Sequence, residues 1–152
     1  VDLVRVVEDF VRAYPLEDVE VERDISAEEI IVHGDRQLLR QVLVNLVENA
    51  IVAMREVSVS TPRLGIRLTT AGDFAMMVVW DRGPGLVDVE EEEVFEPYVT
   101  TRRSGTGLGL SIVKKVVLDH GGEVGVRRHE DGPGVSFWIR LPLADGAGRH
   151  TS

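Results

Sequence analysis

Three stretches of this 152-residue chain repeat apolar residues at the spacing of an amphipathic helix. Residues 3–14 carry the first repeat, and Pro15 directly follows it. The second repeat follows Asp35, a favoured N-cap residue, and its broad apolar stripe reaches Met54. The third begins in a glycine-rich run and continues to His120, where two glycines follow. The spacing therefore predicts three helices, each with one face in the core.

Six further runs have the alternating or continuously apolar pattern of β-strands. They lie at residues 19–23, 30–32, 64–68, 74–80, 123–127 and 135–141. The alternation of residues 64–68 predicts an edge-like strand, and the unbroken apolar run 74–80 predicts a buried one. The turn sequence Asp131-Gly132-Pro133-Gly134 predicts that the last two runs form a hairpin. We therefore expect an α+β fold, a two-layer α/β sandwich with a mixed sheet and helices on one face.

Composition narrows the classes of protein that fit this pattern. Hydrophobic residues make up 43% and charged residues 28% of the chain, as in an ordinary globular domain. We expect one domain over residues 1–144 and a flexible tail over residues 145–152. No apolar run is long enough to cross a bilayer, which argues against direct membrane insertion. The net charge of −9 disfavours a nucleic-acid surface, and the absence of cysteine excludes disulfides and thiolate metal sites.

The glycine-rich run before the third helix has the features of a phosphate site. Gly105, Gly107 and Gly109 alternate with other residues and lead directly into the helix. Glycine lets the backbone lie close to a bulky ligand, and a helix start offers unpaired N–H groups with the positive end of a dipole. Taken alone, such a cluster is more typical of a flexible loop with a helix cap.

Polar residues at two other places are candidates for contact with a ligand. Asp81 follows the buried run and precedes Gly83 and Gly85, so its carboxylate can present an acceptor. The alternative is an aspartate that caps its own turn. On the second helix, one separate face carries Gln41, Asn45, Glu48 and Asn49. Spacing alone favours a solvated face there.

Four short segments, taken together, resemble the boxes of the GHKL superfamily, which shares the Bergerat ATP-binding fold. In chain order they are similar to its N box, first glycine box, F box and second glycine box: Asn45-x-x-x-Asn49-Ala50, Asp81-x-Gly83-x-Gly85, Phe95-Glu96-Pro97-Tyr98 and Gly105-Thr106-Gly107-Leu108-Gly109-Leu110. The resemblance covers residues 35–141. It implies a domain that binds ATP together with Mg²⁺.

Within that superfamily the sequence looks like the sensor histidine kinases. The DNA gyrase, heat-shock chaperone and mismatch-repair members carry a glutamate base where this chain has Asn45, and an amide cannot take up a proton at neutral pH. The short, polar and basic segment 98–104 suits a lid over a phosphate site, although an ordinary surface loop would have the same composition. The F box and Thr100-Thr101-Arg102 resemble the sensor kinases, and this short lid with Asn49-Ala50-x-x-Ala53-Met54 resembles their nitrogen-regulation type. Many sensor kinases have a lysine and an aromatic residue where this chain has Val52 and Ala53, so Arg102 or Arg103 is expected to supply the missing charge.

The resemblance implies a role for each matching residue. Asp81 would accept a hydrogen bond from the adenine amino group, and Asn49 would hold Mg²⁺. The implied catalytic residues are Asn45, which assists the metal or the phosphates, Arg102, which offsets developing charge, and Glu48. Glu48 would act near the γ-phosphate or pair with a solvent-facing arginine. The other residues implied to bind ATP are Gly83, Gly85, Tyr98, Gly105, Thr106, Gly107, Leu108 and Gly109.

The histidines lack the setting of a phosphoacceptor, which in the family lies on a long helix with an acidic residue directly after it. We expect all four to be structural or exposed: His33, His120, His129 and His150. The acceptor is therefore expected on a separate dimerisation domain of the same kinase, with a response regulator downstream. Residues 1–14 would be a remnant of the linker to that domain. We expect an isolated, monomeric domain in the cytoplasm, and whether its parent is membrane-anchored stays open.

Two other functions fit the same boxes. A GHKL protein kinase acting on serine, such as an anti-sigma factor, would naturally be a small self-contained chain, but the F box and lid match sensor kinases better. A non-catalytic nucleotide sensor or interaction module would explain why the lysine and the base are missing.

Overall fold

The computed structural model describes residues 1–14, 19–56, 63–81, 109–128 and 134–144. These ranges contain three helices, α1 (Leu3–Ala13), α2 (Arg36–Glu56) and α3 (Gly109–Asp119). They also contain five strands, β1 (Glu20–Ile25), β2 (Arg63–Ala71), β3 (Phe74–Asp81), β4 (Glu123–Arg128) and β5 (Val135–Pro142). No helix in the described ranges combines the length and the apolar character needed to cross a membrane.

The strands form one mixed sheet in the order β1-β2-β3-β5-β4. β1 and β2 run parallel, whereas the other three neighbouring pairs run antiparallel. β4 and β5 pair as the predicted hairpin, although residues 131–133 of its turn lie outside the described residues. The three helices share one hydrophobic core with one face of the sheet. The predicted α+β fold with a mixed sheet is confirmed.

The run at residues 30–32 forms isolated bridges, so the strand predicted there is wrong. Ile31 bridges to Asp2, and Val32 bridges to Leu143. Neither partner extends into a ladder, because Asp2 is the N-cap of α1 and Leu143 follows Pro142, which has no N–H to donate.

β2 is an interior strand, so the prediction of an edge-like strand is also wrong. It lies between β1 and β3, and the sheet ends in β1 and β4. The residues Leu64, Ile66 and Leu68 are buried on its inner face. Alternation of this kind indicates a sheet with one covered face. Edge strands and interior strands of such a sheet share the pattern, so it does not distinguish them.

The unbroken apolar run in β3 is fully buried on one face only. Ala75, Met77 and Val79 are buried in the core that the helices share. Met76 and Val78 point to the opposite face and are half-buried. The predicted burial of β3 therefore holds for its inner face alone.

Two tryptophans on the outer face each cover a glycine of a neighbouring strand. Trp80 lies over Gly65 and Trp138 lies over Gly125, and a Cβ added to either glycine would overlap the indole ring. Beside Trp138 is a cavity of about 370 Å³ lined by Met76, Val78, Arg127, Ser136, Trp138 and Arg140. It lies on the face of the sheet opposite to the shared core.

Helix α1 belongs to the core. Val7 and Phe10 are completely buried, and the Phe10 ring stacks on Tyr14 with 4.8 Å between ring centroids. Asp2 caps the helix, since its Oδ1 accepts hydrogen bonds from the N–H groups of Val4 and Ile30, both at 3.0 Å. α1 packs against α2. The origin of this segment as a linker remnant stays a prediction.

Candidate functional site

The two asparagines of the N box lie in the middle of α2, whose start is capped as predicted. Asp35 Oδ1 accepts hydrogen bonds from the N–H groups of Gln37 at 2.9 Å and Leu38 at 3.1 Å. The helix buries an apolar stripe that includes Val42, Leu43, Leu46, Val47 and Ala50. This burial fixes the rotation of α2, and it leaves Asn45 and Asn49 half-buried on the flank of the helix.

Asn45 joins the N box to the second glycine box. Its Nδ2 donates to the carbonyl oxygen of Gly109 at 3.2 Å, and its Oδ1 accepts from Gln41 Nε2 at 2.7 Å. Both ends of the amide are therefore engaged, which fixes its orientation. Two residues predicted for the same site from sequence, 64 positions apart, are in direct contact.

Gly109 is the first residue of α3 and is exposed. A Cβ added to it would meet no atom of the described residues within 4 Å, so packing against them does not require glycine there. The first-turn N–H groups and the positive end of the helix dipole lie beside Asn45. On a chain of net charge −9, this helix start offers the local positive potential that an anionic ligand needs.

Asn49 lies one turn beyond Asn45, and within the described ranges nothing hydrogen-bonds its side chain. Its amide oxygen is a hard ligand of the type that Mg²⁺ accepts. The described residues contain no cluster of three or more histidine, aspartate or glutamate side chains able to hold a metal. This donor set fits a cation that enters with nucleotide phosphates and water and takes one or two protein ligands.

Glu48 points toward α1 and has a partner that the sequence did not indicate. Its Oε2 accepts a hydrogen bond from Tyr14 Oη at 2.6 Å. The partner is thus a phenol hydroxyl, whereas an arginine was the expected alternative. The bond links the C-cap residue of α1 to the turn of α2 that carries both asparagines.

Asp81 ends β3 with its side chain inside the protein. Its exposed fraction is 2%, and among the described residues it is the one charged residue that is buried. In the sheet it pairs with Leu64 of β2 and Val135 of β5. A carboxylate stays in such a place only with polar partners, and Asp81 does make polar contacts. A ligand bonded to it would be held at the end of a central strand.

The remaining predicted site residues lie outside the described residues. They are Gly83, Gly85, Tyr98, Arg102, Gly105, Thr106, Gly107 and Leu108. Arg103, the alternative source of positive charge, lies there too. Of the predicted set, the structure therefore places Asn45 and Gly109 together, Asn49 and Glu48 on the same helix, and Asp81 at the end of a strand that packs against it.

His120 is a residue of this region whose contacts sequence reasoning missed. Its Nδ1 lies 2.8 Å from the carbonyl oxygen of Val116, and its Nε2 accepts from the N–H of Asp35 at 3.1 Å. The expectation that His120 is structural is confirmed, and His33 is exposed as expected. The available indication was its place at the end of α3, where a histidine can bond the last carbonyls.

The family of histidine kinase-, DNA gyrase B-, and HSP90-like ATPases matches residues 34–145, which contain all four boxes. The chain belongs to this family. Its relatives are sensor histidine kinases, and it corresponds to their catalytic ATPase portion.

Three of these relatives give the extent of the likeness. The C4-dicarboxylate transport sensor protein DctS of Rhodobacter capsulatus is 38% identical over 112 residues, which is 74% of this chain and 17% of DctS. The nitrogen regulation protein NtrY of Azorhizobium caulinodans is 38% identical over 112 residues, 72% of this chain and 14% of NtrY. A solved structure of the mycobacterial sensor histidine kinase MprB has a TM-score of 0.81 at 30% identity, and covers 95% of this chain and 97% of that one. The chain thus spans less than a fifth of the length of DctS and NtrY.

The nitrogen-regulation subtype is not confirmed. NtrY and DctS match at the same identity, and the relatives also include MprB of Mycobacterium and ZraS of Salmonella.

Proposed function

We propose that this chain is the ATP-binding catalytic domain of a sensor histidine kinase. It binds Mg-ATP and donates the γ-phosphoryl group to a histidine on a separate dimerisation domain, for relay to a response regulator. The observation that carries the proposal is the contact between Asn45 of the N box and Gly109 of the second glycine box, in a domain of this family.

The proposed site has three parts. Asp81 accepts a hydrogen bond from the adenine amino group at the end of β3, and Gly83 and Gly85 admit the base. Asn49 holds Mg²⁺, which neutralises phosphate charge when it is bound with the nucleotide. The glycine box from Gly105 to Gly109, with Thr106 and Leu108, places backbone N–H groups against the phosphates. Tyr98 belongs to the same ATP-binding set.

Transfer to an acceptor is favoured over hydrolysis. Asn45 occupies the position of the glutamate base in the hydrolysing members, and both ends of its amide are already hydrogen-bonded. No proton acceptor is therefore offered to water at that position. Arg102 offsets charge on the transferred group, and Glu48 supplies a carboxylate within one turn of both asparagines.

The partners follow from the chemistry of transfer. The phosphoryl acceptor is a histidine of the dimerisation domain, and a response regulator is the next acceptor. The histidine kinase ThkA, which has been solved in complex with the response regulator protein TrrA, aligns with 93% of this chain at a TM-score of 0.71 and 29% identity. We place the isolated domain in the cytoplasm as a monomer, and within the sensor kinases we assign it to the nitrogen-regulation type by its short lid and its N box.

The test is a phosphotransfer assay with γ-labelled ATP and an added histidine-bearing dimerisation domain from a related sensor kinase. We expect an acid-labile, alkali-stable label on that domain, and we expect Asn49→Ala to abolish it. Gln37→Ala, an exposed change on the same helix, is the matched control and should leave transfer intact.

Two other outcomes would contradict the proposal. Nucleotide binding without labelling of any acceptor domain would favour a nucleotide-sensing module. An acid-stable label on serine of an added substrate protein would favour a serine kinase of the same superfamily.

A further inference from the structure

We infer that His120 is a positioning residue for the nucleotide site, because it fixes α3 on α2 from the end opposite to the glycine box. The inference rests on the proposed function and goes beyond it, since His120 matches none of the four boxes. It starts from two hydrogen bonds that the imidazole makes to two different helices.

α2 and α3 are hydrogen-bonded to each other at both ends of α3. At its start, the Gly109 carbonyl accepts from Asn45; just past its end, His120 accepts from the N–H of Asp35, the N-cap of α2. Asp35 and Asn45 are about ten residues apart on α2, and Gly109 and His120 are about eleven apart on α3, so at ~1.5 Å per residue the spans are about 15 and 16 Å. α2 and α3 therefore run antiparallel, and the distance between the two contacts is nearly the same along each helix.

Apolar packing already holds α3 against α2, because both helices bury residues in the shared core. Such packing is non-directional and allows small shifts, whereas a hydrogen bond at each end of α3 fixes a distance and a direction there. His120 thereby helps to set the placement of the glycine box relative to the N box, although it lies a whole helix away from both.

The geometry requires one tautomer of His120. The Asp35 N–H donates to Nε2, so Nε2 carries no proton. Nδ1 then carries the proton and donates to the Val116 carbonyl at 2.8 Å, on the last turn of α3. The side chain of Asp35 meanwhile accepts from the first turn of α2. These hydrogen bonds join the end of α3 to the start of α2 in one corner of the domain, formed by Asp35, Val116 and His120.

Gly34 makes room for this imidazole. A Cβ at position 34 would lie 2.5 Å from His120 Cδ2 and 2.8 Å from Nε2. The ring cannot easily give way, because it is hydrogen-bonded on both sides. The imidazole of His120 therefore occupies the space that a side chain at position 34 would need. This steric fit is a second observation, independent of the hydrogen bonds, that places His120 in this corner.

Calorimetry measures the affinity of each protein for a Mg²⁺-bound, non-hydrolysable ATP analogue. Four proteins are compared at a temperature where all of them are folded: the wild type, His120→Ala, His120→Gln and Lys115→Ala. We expect His120→Ala to weaken binding by about three- to tenfold, the effect of one hydrogen bond acting through helix placement. His120→Gln keeps an acceptor for the Asp35 N–H and should recover part of the loss. Lys115→Ala removes the 3.0 Å ion pair to Asp119 on the same helix and should bind as the wild type does.

A nitrogen NMR spectrum of the imidazole is the second measurement, and it does not depend on nucleotide. We expect the Nδ1-protonated neutral form, and an Nε2-protonated ring would overturn the inference. Equal affinity of His120→Ala and Lys115→Ala, with the wild type binding, would overturn the inference and leave the proposed function standing. A wild-type protein that binds no nucleotide would overturn the proposed function and this inference with it.

Discussion

Replacing Gly109 by alanine separates the demands of the fold from those of the site. Gly109 is the first residue of α3, its backbone is not in the left-handed region, and an added Cβ would meet no atom of the described residues within 4 Å. Nothing in the described structure opposes the extra methyl group. Alanine also loses less backbone freedom on folding than glycine. The free energy of unfolding should therefore rise slightly.

The size of that gain follows from helix propensity. Glycine costs about 0.5–1 kcal/mol relative to alanine inside a helix, and a first-turn position lies at the lower end of this range. We expect a gain of about 0.5 kcal/mol, which corresponds to about 1–2 °C in Tm for a domain of this size. Urea titration and thermal unfolding followed by circular dichroism measure both quantities.

Nucleotide affinity should change in the opposite direction. If the backbone at Gly109 lies against phosphate, the methyl group takes space that the ligand needs, and affinity for the ATP analogue should fall by more than about tenfold, or ~1.4 kcal/mol. The measurement is calorimetric titration of the variant at the same Mg²⁺ concentration as the wild type.

Gly72→Ala is the matched control because it has the reverse profile. Gly72 lies in the turn between β2 and β3 with φ at +59°, where alanine costs roughly 1 kcal/mol. It should lower stability and leave nucleotide affinity unchanged. A Gly109→Ala protein that binds as tightly as the wild type would refute the placement of this glycine against phosphate. A Gly109→Ala protein less stable than the wild type would refute the geometry of the helix start.

Two further predictions concern the fold. Phe10→Ala should lower the free energy of unfolding by about 3–5 kcal/mol in urea titration, because this ring is completely buried. Leu38 is 45% exposed, so Leu38→Ala should change the free energy of unfolding by less than about 0.5 kcal/mol. Equal effects of the two changes would show that α1 does not belong to the core. Gly65→Ala should cost about 1–3 kcal/mol because its Cβ would overlap the Trp80 ring, and in a Trp80→Ala background the same change should cost far less. Additive effects of the pair would contradict the contact.

The helices and the order of boxes could be predicted from sequence because their determinants are local. The N-cap at Asp35 and the apolar stripe of α2 are set by spacing within one element, and the structure has both. The same stripe put Asn45 and Asn49 on a separate face, although spacing alone favoured solvent for that face. In the structure Gln41 and Glu48 are exposed, Asn45 and Asn49 are half-buried, and the contact of Asn45 with Gly109 is one that no local pattern contains.

The errors came from interactions between distant segments. Nothing in the alternation of β2 reveals that β1, some 40 residues earlier, pairs beside it in parallel. The apolar run of β3 does not say which face the helices cover, so its outer face was wrongly expected to be buried. The partners of Glu48 and His120 lie 34 and 85 residues away from them. Such contacts depend on how the elements pack, and they become visible only in the folded chain.

We propose that this domain binds adenine nucleotide through Asp81 with the help of Mg²⁺. The decisive experiment is calorimetric titration with ADP and with a non-hydrolysable ATP analogue, with and without Mg²⁺. It compares the wild type, Asp81→Asn and the exposed control Asp24→Asn. We predict adenine-selective binding that Mg²⁺ strengthens. Asp81→Asn, which removes the charge with almost no change in shape, should weaken binding by about tenfold or more, as expected for a hydrogen bond to a charged group, and Asp24→Asn should leave it unchanged. No binding by the folded wild type, or equal affinities for both variants, would contradict the claim.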